Sequence, residues 1–229
     1  MRASELRDLA TDWLREYAPN SLIVNELSVA DWGGASIDVA AITETQVVGV
    51  EIKGEGDSPT RLDRQGLAYG MVAREMWLLP DASIASKCLE RKPPGWGRLE
   101  IWDGACRPMN MATKLGEPIK TAHGQRWPNV RDDSRYDPDK AWPQQHLSPH
   151  VICGALWHDE LTEIARRYNL VGRARVNVAP LIEKIVESLP VGIIHDEMIA
   201  ALRQRKWRRP ILDLRSPDTV SGCKQGALV

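Results

Sequence analysis

The feature that most constrains this chain is a pair of short apolar runs, ASIDVAAI (residues 35–42) and QVVGVEIK (residues 46–53), separated only by TET. Runs of this length, rich in Val, Ile and Ala, read as strands. A turn centred on Glu44 and Thr45 leaves an antiparallel hairpin as the way to pair them. The short turn then sets the register. Residues whose numbers sum to about 89 face each other, which puts Asp38 beside Glu51 at the far end of the hairpin. Glu51 and Lys53 are two apart and project from the same face of their strand, whereas Val50 and Ile52 point to the other. Three charges are expected to converge at one end of a sheet.

The flanking sequence supplies the rest of an α/β unit. SELRDLATDWLREYA carries Leu6, Leu9, Trp13, Leu14 and Tyr17 at helical spacing, with Ser4 as the expected N-cap and Pro19 beyond its end. SLIVNEL (residues 21–27) reads as a strand. After the polar loop GEGDSP, the segment TRLDRQGLAYGMVAREM has Leu62, Leu67, Tyr69 and Met71 in a helical pattern. EMWLLP reads as a strand, ASIASKCLERK as a helix and GRLEIWD as a last strand, in the order αβββαβαβ. Residues 105–147 are rich in Pro, Gly, Asn and Asp without periodicity, and read as a long loop or linker. Periodicity returns in HVICGALWHDELTEIARRYNL, NVAPLIEKIVESL and HDEMIAALRQRKW, which predict three or four short helices. The expected organisation is a core over 1–104, a linker over 105–147, a helical module over 148–215 and a flexible tail over 216–229.

Composition excludes little beyond the membrane. The 229 residues are 43% apolar and 27% charged, with a formal net charge of -1. No apolar run reaches the roughly 18 to 20 residues that a bilayer span needs, and the start of the chain lacks the apolar centre of a signal peptide. A cytoplasmic protein is expected. Cys88, Cys106, Cys153 and Cys223 are widely spaced and make no CxxC pair, so they read as reduced thiols rather than zinc ligands. The charge is unevenly laid out: residues 1–50 carry three Lys or Arg against eight Asp or Glu, and residues 201–229 carry seven against two. An acidic front and a basic back imply different roles toward any polyanion.

A lone charge in a strand is usually on the solvent face. Two carboxylates held a few ångströms apart repel unless a cation lies between them, and hard oxygen ligands suit Mg²⁺, with Mn²⁺ as a substitute. The spacing therefore predicts a metal site at Asp38, Glu51 and the Ile52 carbonyl, with Lys53 to hold water or to neutralise charge on a phosphate.

Asp38 followed by Glu51, Ile52 and Lys53 resembles the core motif of the PD-(D/E)XK nuclease superfamily, the restriction-endonuclease-like fold. Asp57, Arg61, Leu62, Gln65 and Tyr69 resemble the acidic loop, the R-L-x-x-Q segment and the tyrosine of a bacterial and phage branch. The Gln-x-x-x-Tyr spacing is similar to a motif of RecB-type nucleases and puts both side chains on one helix face. The chain departs from the pattern in having Ile37 rather than Pro before Asp38. The resemblance implies an α/β core with a central mixed sheet flanked by helices, and a metal-dependent deoxyribonuclease that hydrolyses phosphodiester bonds. It implies catalytic roles for Asp38, Glu51, Lys53 and Gln65, together with an upstream carboxylate. Glu26 is the first choice for that carboxylate, Glu16 the second and Glu5 the third; each also reads as an ordinary surface acid. Arg61 and Tyr69 are expected at the DNA.

The helical segment reads as a small helix-turn-helix or winged-helix-like module. In RQRKWRR, Arg205, Lys206, Arg208 and Arg209 surround a Trp, a composition suited to phosphate contact and stacking. The plainer reading is a solvated helix end that complements the helix dipole. DNA is the expected partner and a homodimer a possible form. The alternative function is a catalytically silent nucleic-acid-binding factor, or a phage-encoded protein-interaction factor, on the same fold.

Overall fold

The computed structural model describes residues 1–29, 35–93, 95–112, 119–121, 124–126 and 147–207, so the tail expected over 216–229 lies outside the described residues. Helix α1 (Ala3–Tyr17) buries Leu6, Ala10, Trp13 and Leu14, a helical stripe that sets which face meets the sheet. It begins before Ser4. Arg2 holds the cap position, and its N–H donates to Glu5 Oε2 at 2.8 Å, so Ser4 lies inside the first turn.

Strands β1 (Leu22–Val29), β2 (Ala35–Ile42) and β3 (Val47–Lys53) form an antiparallel meander. The β2–β3 ladder runs from Ile42↔Val47 to Val39↔Val50, each pair of numbers summing to 89, as the short turn predicts. Thr43 tightens that turn: its N–H donates to the Gln46 carbonyl at 2.9 Å, and its Oγ1 accepts from the Gln46 N–H at 2.9 Å. A 3-10 turn (Pro59–Arg61) and α2 (Leu62–Tyr69) lead to β4 (Glu75–Pro80), and α3 (Ala85–Glu90) leads to β5 (Gly97–Trp102). β4 lies parallel to β3, and β5 parallel to β4, giving a mixed sheet of order β1-β2-β3-β4-β5-β6.

The sixth strand, β6 (Ala105–Asn110), falls where a loop was expected. Asp103 (φ 49°) and Gly104 (φ 76°) turn the chain back on itself, and an Asp-Gly pair is a strong hairpin signal. Pro108 is tolerated because β6 is an edge strand. A small separate hairpin, β7 (Ile119–Thr121) with β8 (Gly124–Arg126), follows inside the span expected to be a linker.

Two hydrophobic clusters flank the sheet. On one face α1 packs on Ile23, Val39, Val48, Val50, Trp77 and Leu99. On the other, α2 and α3 share a single cluster with α4 (Pro149–Gly154), α5 (His158–Arg167), α6 (Val178–Ser188) and α7 (Val191–Gln204). The C-terminal helices are therefore a layer docked on the sheet. Ser148 N–H donates to the Met71 carbonyl at 3.2 Å, and Arg203 Nη1 donates to the Ile42 carbonyl at 3.0 Å. Among the described residues no helix is long and apolar enough to cross a membrane, and Cys88, Cys106 and Cys153 are free thiols.

Candidate functional site

A cleft of ≈ 340 Å³ opens where the ends of β2 and β3 meet α2, the 3-10 turn and the start of α1. Asp38, Glu51, Lys53, Gln65 and Tyr69 line it, as the hairpin register and the i, i+4 spacing on α2 require. Asp38 Oδ2 accepts from the Ile52 N–H at 2.8 Å. Lys53 Nζ donates to Glu51 Oε1 at 2.5 Å and to Gln65 Oε1 at 3.1 Å. Gln65 Nε2 donates to Glu51 Oε1 at 2.6 Å, and Tyr69 Oη donates to the Ser36 carbonyl at 2.5 Å.

Glu51 and Lys53 are nearly inaccessible, with side chains 2% and 4% exposed. Burial pushes the Glu51 carboxyl up to about 7, and the Asp38 charge adds to the shift against the opposing pull of Lys53 and Gln65. Asp38 is also raised, chiefly by burial, with the Ile52 N–H and the Lys53 charge working the other way. Glu51 Oε2 is buried with no hydrogen-bond partner among the described residues. Tyr69 is fully buried, stacks on Trp96 at 6.0 Å, and has its phenol raised, first by burial and then by the Glu51 charge.

Of the three upstream carboxylates, Glu26 reaches this cleft. It sits in the left-handed region (φ 55°), with Arg7 at 4.0 Å. Glu5 pairs with Arg2 on the surface, and Glu16 lies exposed on α1 away from the lining. Arg61 lies at the mouth, exposed. Sequence reasoning missed Arg7 and Ser36. Both reach the cleft only through the packing of α1 and the edge of β2, which no local spacing reveals.

Residues 4–108 match the family described as Bacteriophage P4 protein cII. No curated protein matches the chain. Among solved structures, a protein of unknown function from Silicibacter pomeroyi is similar over 50% of this chain and 73% of its own, at 19% identity and a TM-score of 0.40.

These findings correct the nuclease reading. The family matched over the core is Bacteriophage P4 protein cII, not a PD-(D/E)XK family, so the resemblance drawn from Asp38, Glu51 and Lys53 does not carry the superfamily's activity with it. Among the described residues no three His, Cys, Asp or Glu side chains are grouped so as to hold a metal ion. The Mg²⁺-dependent deoxyribonuclease, a phosphodiester hydrolase, is withdrawn with that resemblance. The physical reason lies in the floor of the cleft. Asp38 and Glu51 do converge, but no third His, Cys, Asp or Glu side chain is grouped with them among the described residues; Lys53 and Gln65 bond Glu51 Oε1, and the Ile52 N–H bonds Asp38 Oδ2.

The basic run also reads differently in three dimensions. Arg205 grips Glu160 through two nitrogens, with Nη2 at 2.5 Å from Oε2 and Nε at 2.7 Å from Oε1, and its side chain is 4% exposed. Its guanidinium lies over Trp157 at 4.5 Å and over Trp207 at 4.9 Å. Arg205 thus fastens the end of α7 to the start of α5. Lys206 remains exposed, and Arg208 and Arg209 lie outside the described residues.

Proposed function

We propose that this protein is a nucleic-acid-binding factor of regulatory type that does not cut its DNA. The observation that carries the reading is the charge cluster at the end of the sheet: Glu51 Oε1 is held by Lys53 at 2.5 Å and by Gln65 at 2.6 Å, and Asp38 by the Ile52 N–H. The Lys53 ammonium offsets part of the charge of the two carboxylates and, through Gln65, ties the end of β3 to α2. The match of residues 4–108 to Bacteriophage P4 protein cII supports the same direction. DNA is the partner in this reading, and the helical layer is the part that meets it, in the manner of a helix-turn-helix or winged-helix-like module. Mg²⁺ and Mn²⁺ have no required role.

The test incubates purified protein with labelled duplex and single-stranded DNA in Mg²⁺, in Mn²⁺ and in EDTA. Binding is followed by anisotropy and strand integrity by denaturing gel. Salt-sensitive binding of equal strength in all three, with intact strands, is expected. Metal-dependent cleavage that Glu51→Gln abolishes would overturn the reading, and so would the absence of binding to any DNA.

A further inference from the structure

The loop between α5 and α6 is built to hold arginines outward. Helix α5 ends in a left-handed Asn169 (φ 58°), with Asn169 N–H donating to the Arg166 carbonyl at 3.0 Å and Leu170 N–H to the Ala165 carbonyl at 2.8 Å. This paired closure gives the chain a defined exit direction. Leu170, Val171 and Val176 pack against the main core, and His158 Nε2 lies 2.8 Å from the Val176 carbonyl. The loop is thus pinned at both ends. Between the pins, Arg173 and Arg175 are exposed, and Arg166 is exposed on the last turn of α5. None of the three has an ion-pair partner among the described residues. Their neighbour Arg167 is different: it bonds Glu163 at 3.0 Å and Glu197 at 2.6 Å, and belongs to the packing of α5 on α7.

Resting on the reading of the protein as a DNA-binding factor, we infer that Arg166, Arg173 and Arg175 form its phosphate-contacting surface on duplex DNA. The three cations have no counter-ion among the described residues, and the backbone that carries them, anchored at each end, loses little freedom on binding. Their attraction to a polyanion is not discounted by a neighbouring carboxylate, as it is for Arg167 and Arg205. Arg205, committed to Glu160, is not part of this surface.

The test measures duplex binding by anisotropy across a salt titration in EDTA. It compares the wild type, the triple variant Arg166→Ala, Arg173→Ala, Arg175→Ala, the reversal Arg173→Glu, Arg175→Glu, and the control Arg15→Gln on the opposite face of the sheet. If each arginine contacts one phosphate, the triple variant's log-log salt slope becomes shallower by about 2.7 and its affinity at physiological salt falls on the order of 10²-fold. The reversal weakens binding further, and the control matches the wild type. All variants keep the wild-type melting temperature, since the three side chains are exposed. Wild-type binding with an unchanged slope in the triple variant would overturn the inference and leave the DNA-binding reading standing. The inference also fails, with DNA binding intact, if Arg15→Gln weakens binding as much as the loop variants do. A wild type that binds single-stranded DNA but no duplex would overturn the inference alone, and one that binds neither would overturn both.

Discussion

Replacing Glu51 by Gln should stabilise the protein above neutral pH. Glu51 is 2% exposed, lies beside Asp38, and titrates at about 7 in the folded state against an ordinary 4.5. Below about pH 4.5 the carboxyl is protonated whether the chain is folded or not, and it exerts no pH-dependent effect. Between about 4.5 and 7 the unfolded chain ionises first, so stability falls as pH rises. Above about 7 the penalty is complete, at about 3 kcal/mol when each pKa unit is worth about 1.4 kcal/mol. A glutamine mimics the protonated acid: its amide can still accept from Lys53 and it carries no charge to repel Asp38. Urea denaturation of both proteins at a series of pH values should show them alike near pH 4.5. The variant should gain about 2 to 3 kcal/mol at about pH 8, with that part of the wild-type pH slope removed. A variant less stable than the wild type at about pH 8, or a difference that does not change with pH, would refute the argument that burial and Asp38 outweigh Lys53.

Removing the other partner should act in the opposite sense. Lys53→Met strips the ammonium from two facing carboxylates and should cost about 3 to 5 kcal/mol above about pH 7, and less in acid, by the same urea titrations. Arg205→Met breaks the buried pair with Glu160 and its contacts with Trp157 and Trp207. A loss of about 3 kcal/mol or more, with earlier amide exchange in α5 and α7, is expected. Gly97→Ala would drive a methyl into the rigid Trp77 ring, and thermal melts should report a loss of about 1 to 3 kcal/mol. Tyr69→Phe leaves the Ser36 carbonyl without its phenol donor and should cost about 1 to 3 kcal/mol, measured by denaturant midpoint.

Much of the framework was legible because it rests on local rules. A turn that spans Thr43 to Gln46 permits one register, and that register carries Asp38 to Glu51 without further information. The helix period places Gln65 and Tyr69 on one face, and they do bond each other at 3.1 Å. The Asp103-Gly104 signal for β6 was equally local, but the strand after it is an exposed edge strand containing Pro108, with no alternation of buried apolar residues to mark it.

What the sequence by itself determined, then, is the succession of elements, the hairpin register and the gathering of charge at one end of the sheet. All of these follow from periodicity and chain reach over a few residues. Only the tertiary structure decided which side chains those charges meet. Spacing brings two carboxylates near each other, but the 2.5 Å contact from Lys53 to Glu51 is a product of burial and rotamer. Nor could spacing reveal that Arg205 would meet Glu160, 45 residues away in the chain, while Arg173 and Arg175 stay open to solvent. An amphipathic helix announces that it will bury a face, and not against what. The docking of α4 to α7 on the sheet, and the partition of arginines into fastened and free that follows from it, arises from long-range packing that no short stretch of chain encodes.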